Sequence, residues 1–195
     1  MALIEWLSRF DSPRLEGDGL LLRLPVADDY VQWARLREQS RDFLTPWEPS
    51  WAADELSRKA FRERLTRYRQ EARERTGYSF LIFGDDGDTL YGGLTLGVIR
   101  RGVAQSATLG YWMGAPFAGH GHMTRAVRLV CTFAFDIEGL HRVEAACLPS
   151  NERSRRLLQS VGFRQEGYLR NYLKIAGAWE DHHLYSLLAE DLSRA

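Results

Sequence analysis

Gly119 and Gly121 stand one residue apart in the run Gly110-Tyr111-Trp112-Met113-Gly114-Ala115-Pro116-Phe117-Ala118-Gly119-His120-Gly121-His122-Met123-Thr124. Just beyond them Met123, Ala126, Val127, Val130, Cys131 and Ala134 recur at the spacing of one helix face. The first turn of a helix leaves backbone N–H groups unpaired and carries partial positive charge. Glycines there let an anion such as a diphosphate approach without a Cβ in the way. A plain tight turn accounts for Gly-x-Gly equally well. The segment is not a Walker loop, because no Gly-Lys-Ser/Thr follows. The dinucleotide fingerprint is also excluded, since its third glycine is missing and the unit falls late in the chain. A phosphate site is favoured here, a nucleotide enzyme is not.

A second constellation follows in Pro149-Ser150-Asn151-Glu152-Arg153-Ser154, then Leu157-Leu158 and Val161-Gly162-Phe163. Asn151 and Ser154, three apart at a helix start, can share one side of it. As an N-cap, Asn151 is fully explained by a hydrogen bond from a first-turn amide. Capping does not explain why this helix comes after a phosphate-loop helix and ends in Gly162-Phe163. The combination is more specific than either part.

The elements that must position these residues can be read from periodicity. Residues 20–24 form a short apolar strand, and Asp28 can cap a helix carrying Tyr30, Val31, Trp33, Ala34 and Leu36. Phe43-Leu44-Thr45-Pro46-Trp47-Glu48-Pro49 reads as a loop, restricted by two prolines. A charged helix over residues 54–74 buries Leu56, Phe61, Leu65, Tyr68 and Ala72. Its arginines alternate with Glu55, Glu63, Glu71 and Glu74, as on a solvated face rather than a nucleic-acid groove. Residues 78–83 and 91–99 read as an antiparallel hairpin across Asp85-Asp86-Gly87-Asp88. Strands at 107–113 and 141–148, a helix at 151–160, and strands at 168–174 and 179–187 complete the order. The fold class is mixed α+β with a partly parallel centre.

Composition excludes several function classes. The 195 residues, 45% of them hydrophobic, suit a single domain over 1–195 with a real core. Twenty-six basic residues balance 26 acidic ones, so no direct nucleic-acid binding is expected from charge. MALIEWLSRF carries no basic leader, Glu5 and Arg9 interrupt its apolar run, and no stretch is long enough to span a membrane. Cys131 and Cys147 are too few for a disulfide framework and lack metal-ligand spacing. A reduced, cytoplasmic protein without a metal, monomeric or homodimeric, is the simplest reading.

The loop-helix and strand-helix units together resemble the GNAT acetyltransferase superfamily, whose loop runs Q/R-x-x-G-x-G/A before its central helix. Within it the chain is similar to the RimJ-like ribosomal-protein alanine N-acetyltransferases. The likeness rests on residues 43–49, Leu109-Gly110-Tyr111, Gly119-His120-Gly121, His141-Arg142, Asn151 with Arg153-Ser154, and Leu157-Leu158. Gly162-Phe163, Glu166-Gly167-Tyr168, Tyr172-Leu173, Trp179 and Asp181 extend it over nearly the whole chain. Pro116 departs from the pattern where Gln or Arg stands, which implies a weakened first contact in a loop that works through backbone N–H groups.

The resemblance implies a twisted, seven-stranded, mostly antiparallel sheet with a splayed central parallel pair and about four flanking helices. Acetyl-CoA would lie where the strands ending at Met113 and Leu148 part, its pantetheine amides pairing with the Trp112–Met113 backbone. Phe117, Ala118, Gly119, His120, Gly121, His122, Met123 and Thr124 would hold the diphosphate, with Asn151, Ser154 and Leu157 beside the thioester arm. The acceptor would be the N-terminal α-amino group of a protein, such as a ribosomal protein beginning with a small residue like alanine.

Such a reaction needs a neutral amine and a stabilised thiolate. An α-amino group, with a reference pKa of ~7.7–8.0 against ~10.4 for lysine, asks less of a base. Ser154 is the candidate acid near the sulfur, as in related alanine acetyltransferases; otherwise it is a second helix-start polar group. Glu48, in its Pro-stiffened loop, is the candidate base, or binds the ammonium while water carries the proton. Tyr111 and Tyr172 read as core or substrate wall, Cys147 as a buried thiol, and His182 and His183 as one inward and one outward residue. Two other readings stand beside this one. They are acetylation of a small amine such as an antibiotic or polyamine, and a non-catalytic CoA-binding or ribosome-assembly module.

Overall fold

Asp18 and Gly19, at φ of 52° and 73°, turn the chain between β1 (Arg14–Gly17) and β2 (Leu20–Arg23). The structure, a computed structural model, describes residues 12–192. The segment 1–10, read above for a leader, lies outside them. After β2 come α1 (Tyr30–Gln39), α2 (Arg41–Leu44), α3 (Arg58–Arg73), β3 (Tyr78–Gly84), β4 (Leu90–Arg100) and β5 (Ser106–Met113). Then follow α4 (His122–Thr132), β6 (Arg142–Cys147), α5 (Glu152–Val161), β7 (Arg164–Ile175), β8 (Ala178–Leu188) and α6 (Ala189–Leu192).

Among the described residues eight strands form one sheet in the order β1-β2-β3-β4-β5-β6-β8-β7. Every neighbouring pair is antiparallel except β5 and β6, which are joined through α4. The mixed fold with one central parallel pair is as expected, with one strand more than seven. The extra strand is β1, where only Leu15 of four residues is buried, too short for a legible alternation. The four expected helices are α1, α3, α4 and α5; α2 and α6 add one turn each.

Local chemistry explains the remaining differences. Residues 43–49 are not wholly loop: Leu44 ends α2, and Thr45–Trp47 make a 3₁₀ turn with Pro46 in its first positions, where a missing N–H is harmless. Asp28 does not cap α1. Asp29 takes the polar role instead, accepting from Val26 N at 2.7 Å and from both Nη atoms of Arg23 at 2.8 and 2.6 Å. Ser57 caps α3 by accepting from Ala60 N at 3.1 Å. On α3's outer side Lys59 approaches Glu63 at 4.0 Å and Arg67 approaches Glu71 at 3.6 Å, the i,i+4 pattern of a solvated face.

The core lies on both faces of the sheet. On one, Ala126, Val127, Val130 and Ala134 of the α4 segment are fully buried against Leu22, Ile82, Leu96 and Val143. Each such valine or leucine contributes about 1.5–3 kcal/mol relative to an exposed one. On the other, Trp33 and Leu36 of α1 and Phe61 and Leu65 of α3 cover Leu21, Leu81 and Phe83. These packed layers fix α1, α4 and α5 around the end of the parallel pair.

Candidate active site

Pairing between β5 and β6 runs from Ser106↔Arg142 to Leu109↔Ala145 and stops there. β5 continues to Met113 and β6 to Cys147, so the two strands part. On its other side β5 stays paired, Trp112 with Gly93 and Met113 with Gly92. The edge of residues 110–113 that β6 leaves therefore turns its backbone N–H and C=O groups into the gap. An extended ligand carrying amides could complete that edge as a strand would.

At the end of β5 the chain makes a 3₁₀ turn, Ala115–Phe117, with exposed Pro116, and enters α4 through Gly119 and Gly121. Both glycines have left-handed φ, 83° and 76°, and a Cβ built on either meets nothing within 4 Å. Gly121 is the N-cap of α4, so no side chain covers the helix's first turn. Left-handed backbone explains why glycine is present, and the open space explains what it permits: close approach to the amides of residues 122–124. Met123's side chain is buried in the core, which leaves its backbone alone for a ligand. Phe117 packs against Tyr91, ring centres 4.6 Å apart, and supports the loop from below.

The same first turn is electropositive. Arg125 lies one turn into α4, its Nη2 2.7 Å from His122 Nδ1 and its Nη1 donating to Asp18 O at 2.5 Å. Burial lowers the His122 pKa from its ordinary value, and the charges of Arg125 and His120 lower it further. His122 is therefore neutral at neutral pH until an anion arrives beside it. Arg125 was not legible as a site residue, being one arginine in an amphipathic pattern.

Below the parted strands, α5 begins. Asn151 is its N-cap, Oδ1 accepting from Ser154 N at 3.1 Å. That bond holds Ser154 in the first turn, where its Oγ lies 2.7 Å from the Tyr111 phenol oxygen. Cys147, at the end of β6, is buried. Burial raises the Cys147 pKa, while the Ser154 hydroxyl and the charge of Arg155 oppose it. Burial likewise raises the Tyr111 pKa, so both groups are neutral. Leu157, one turn on, packs partly buried on the main core. Tyr111, expected as core or substrate wall, has its partner 43 positions away.

Glu48 is held elsewhere on the rim. Arg37 Nη1 donates to its Oε1 at 2.8 Å and Nη2 to its Oε2 at 2.6 Å, and Trp51 Nε1 donates to Oε2 at 2.8 Å. The Arg37 guanidinium is sandwiched between the Trp51 ring at 4.4 Å and the Trp112 ring at 4.9 Å. The carboxylate is thus not the free base expected of it, since three N–H groups already occupy its oxygens. Capacity for one further donor remains, which fits the alternative of an ammonium anchor.

The α1–α2 elbow reaches both sides of the gap. Ser40 Oγ accepts from Ala115 N at 2.9 Å on the β5 side, and Phe43 lies 5.2 Å under the Arg153 guanidinium on the α5 side. Glu48 O accepts from Ala176 N at 2.9 Å, joining the loop to the tip of the β7–β8 hairpin. Glu48 makes no hydrogen bond to Ser154 among the described residues. His182 is buried and His183 half-buried, the alternation expected. Among the described residues no cluster of His, Cys, Asp or Glu could hold a metal ion. No helix among them is long and apolar enough to cross a membrane.

Comparison with known proteins gives a consistent result. The acetyltransferase (GNAT) domain family matches residues 19–164. A probable N-acetyltransferase of Bacillus subtilis, YjcK, is 36% identical over 177 residues, covering 91% of this chain and 98% of its own length. The ribosomal protein uS5 alanine N-acetyltransferase of Escherichia coli is 31% identical over 178 residues, covering 91% and 92%. Among solved structures, RimJ of Mycobacterium smegmatis in complex with CoA-disulfide superposes with a TM-score of 0.84 at 36% identity, over 89% of this chain and 83% of that one.

Proposed function

The chain belongs to the GNAT acetyltransferase family, and from that premise we propose that it moves the acetyl group of acetyl-CoA to the N-terminal α-amino group of a protein. The acceptor class is a ribosomal protein beginning with a small residue such as alanine, met in the cytoplasm. The observation that carries the donor half is the gap itself. β5 offers an unpaired edge that leads directly to an uncapped helix N-terminus. A pantetheine arm fits the edge and a diphosphate the first turn of α4.

In this reading the backbone of Trp112 and Met113 pairs with the pantetheine amides. Residues 117–124 surround the diphosphate, chiefly through N–H groups, and Asn151, Ser154 and Leu157 line the thioester end. The neutral amine nitrogen attacks the acetyl carbon and a tetrahedral centre forms. The C–S bond then breaks, Ser154 Oγ–H passes its proton to the departing sulfur, and the amine's surplus proton leaves through water, which restores the serine hydroxyl.

The acceptor half rests on Glu48. With Arg37 and Trp51 bound to it, Glu48 anchors an α-ammonium rather than deprotonating an amine. A site of that kind suits α-amines over lysine. The ~2.5-unit gap in reference pKa is worth about 3 kcal/mol of deprotonation at fixed pH. Relatives named for ribosomal-protein alanine acetylation support the same acceptor.

The test is acetyl-CoA turnover on peptides with different first residues beside free lysine, a polyamine and an aminoglycoside. Preference for peptides with a small first residue is the expected result. Equal turnover of ε-amines and α-amines sinks the N-terminal reading.

A further inference from the structure

Tyr111 occupies an unusual place for a residue of the core. It sits on β5 two positions past the last β5–β6 pair, and its phenol oxygen reaches α5 beyond the gap. Its ring belongs to the edge of the main core, while its oxygen meets the first turn of α5. The partner there, Ser154 Oγ, is 2.7 Å away and already has its backbone N–H fixed by Asn151.

A serine hydroxyl has one proton and two lone pairs, and its proton rotates to suit its neighbours. Two arrangements of the Tyr111–Ser154 contact are possible. If Ser154 donates to Tyr111, the serine proton is spent on the phenol and the phenol proton must find a partner in a buried setting. If Tyr111 donates, the phenol is satisfied and the serine proton is left for a third atom. Either oxygen can donate, and the second arrangement is the one that leaves the serine proton free for a sulfur. The phenol, with a reference pKa near ~10, is an adequate donor.

We propose that Tyr111 is a positioning residue for the acetyl transfer. Its phenol donates to Ser154 Oγ and so leaves the serine proton free for the departing thiolate of acetyl-CoA. A donor behind the serine also polarises its O–H, since hydrogen bonds in a chain strengthen one another. The inference rests on the reading of Ser154 as the group that protonates the leaving sulfur. Nothing in it requires Tyr111 to touch the substrate.

The experiment is a double-mutant cycle on kcat with acetyl-CoA and an α-amino peptide. Ser154→Ala should lower kcat by order 10²-fold, the scale of general-acid catalysis. Tyr111→Phe removes one oxygen and should lower kcat about tenfold, leaving KM for acetyl-CoA within about twofold. The double variant should be no slower than Ser154→Ala alone, because Tyr111 acts only through the serine. A double variant slower by the product of both losses overturns the inference. An inert Tyr111→Phe beside a costly Ser154→Ala also overturns it and leaves the serine's role standing. An inert Ser154→Ala removes the serine reading, and the inference with it. A second variant guards against a packing effect. Difluorotyrosine at 111 keeps the shape and the donor, so its kcat should stay within about twofold of the wild type. A loss equal to that of Tyr111→Phe overturns the proposal.

Discussion

Arg37→Met should destabilise the protein by about 2–3 kcal/mol, and most of that loss should return when Glu48→Met is added. The Arg37 and Glu48 side chains are only 8% and 20% accessible. Removing one partner of a buried ion pair costs about 3–5 kcal/mol, because the other charge is stranded. The lower figure applies here, since Glu48 keeps the Trp51 indole N–H and some contact with water. Removing both charges strands neither, and replacing a buried pair by apolar side chains of similar volume is close to neutral. Arg37 Nε already lacks a hydrogen-bond partner among the described residues, so the wild-type pair is itself imperfectly satisfied.

For a protein of this size, 1 kcal/mol moves Tm by about 2–4 °C. Arg37→Met should therefore lower Tm by about 4–12 °C, and the double variant should recover to within about 3 °C of the wild type. Thermal unfolding followed by circular dichroism, with urea midpoints as a second measure, reads both values. A single variant within 2 °C of the wild type, or a double variant whose losses simply add, would refute the view that this pair is buried and mutually dependent. The functional consequence is separate. Arg37→Met frees Glu48 from its anchor, so KM for the peptide should rise more than KM for acetyl-CoA.

Gly121→Val should raise KM for acetyl-CoA about 10–100-fold, the cost of one charge-assisted hydrogen bond at about 1.5–3 kcal/mol, and should also lower Tm, because valine is strained at the left-handed φ of 76°. Unchanged cofactor affinity, measured by calorimetry, would take the loop out of the site. Glu48→Gln should cut turnover of a peptide but not CoA affinity, and its penalty should shrink as pH rises through ~7.7–8.0 and less of the amine is the ammonium that Glu48 binds. A pH-independent penalty leaves Glu48 a purely structural part of its loop. The His122 pKa is depressed by burial, then by Arg125 and His120. Above its ordinary value of 6.5 both folded and unfolded states hold it neutral; below, the unfolded chain is protonated first, so stability falls as pH falls. A diphosphate at the α4 N-terminus reverses that preference, so CoA affinity should tighten below pH ~6.5, and His122→Gln should flatten the titration.

Some of this was legible because single residues carry it. Left-handed backbone at a helix start demands glycine, and Gly119-x-Gly121 before an apolar periodicity is therefore readable. Asn151 as N-cap is readable for the same reason: capping acts over three residues, Oδ1 to Ser154 N. For Glu48 the loop left two roles open, base or ammonium binder, because the environment that bears on the choice lies outside that loop. Arg37 sits on α1, and neither its burial nor its stacking between Trp51 and Trp112 has any signature in a helical pattern that also fits a solvated arginine. The 3₁₀ turn at Thr45–Trp47 was hidden in a similar way, since Pro46 speaks against a long helix but not against a short turn.

The gap between β5 and β6 is the deepest case of the second kind. β6 alternates half-buried and buried residues along its whole length, so its pattern does not mark where pairing ends. Residues 107–113 read as one strand, yet only Ser106 to Leu109 hold β6. What sets the end is what stands on either side of it. Ser40 binds Ala115 and Arg37 stacks on Trp112, fixing the tail of β5 to α1. Asn151 starts α5 just past β6, and Tyr111 reaches across to Ser154. The phenol therefore does two things with one bond: it joins the two sides where the sheet does not, and it orients the hydroxyl at the bottom of the opening. Loss of that oxygen should appear as faster amide exchange at residues 110–113 as well as slower turnover. Slower turnover with unchanged exchange would separate the chemical role from the structural one.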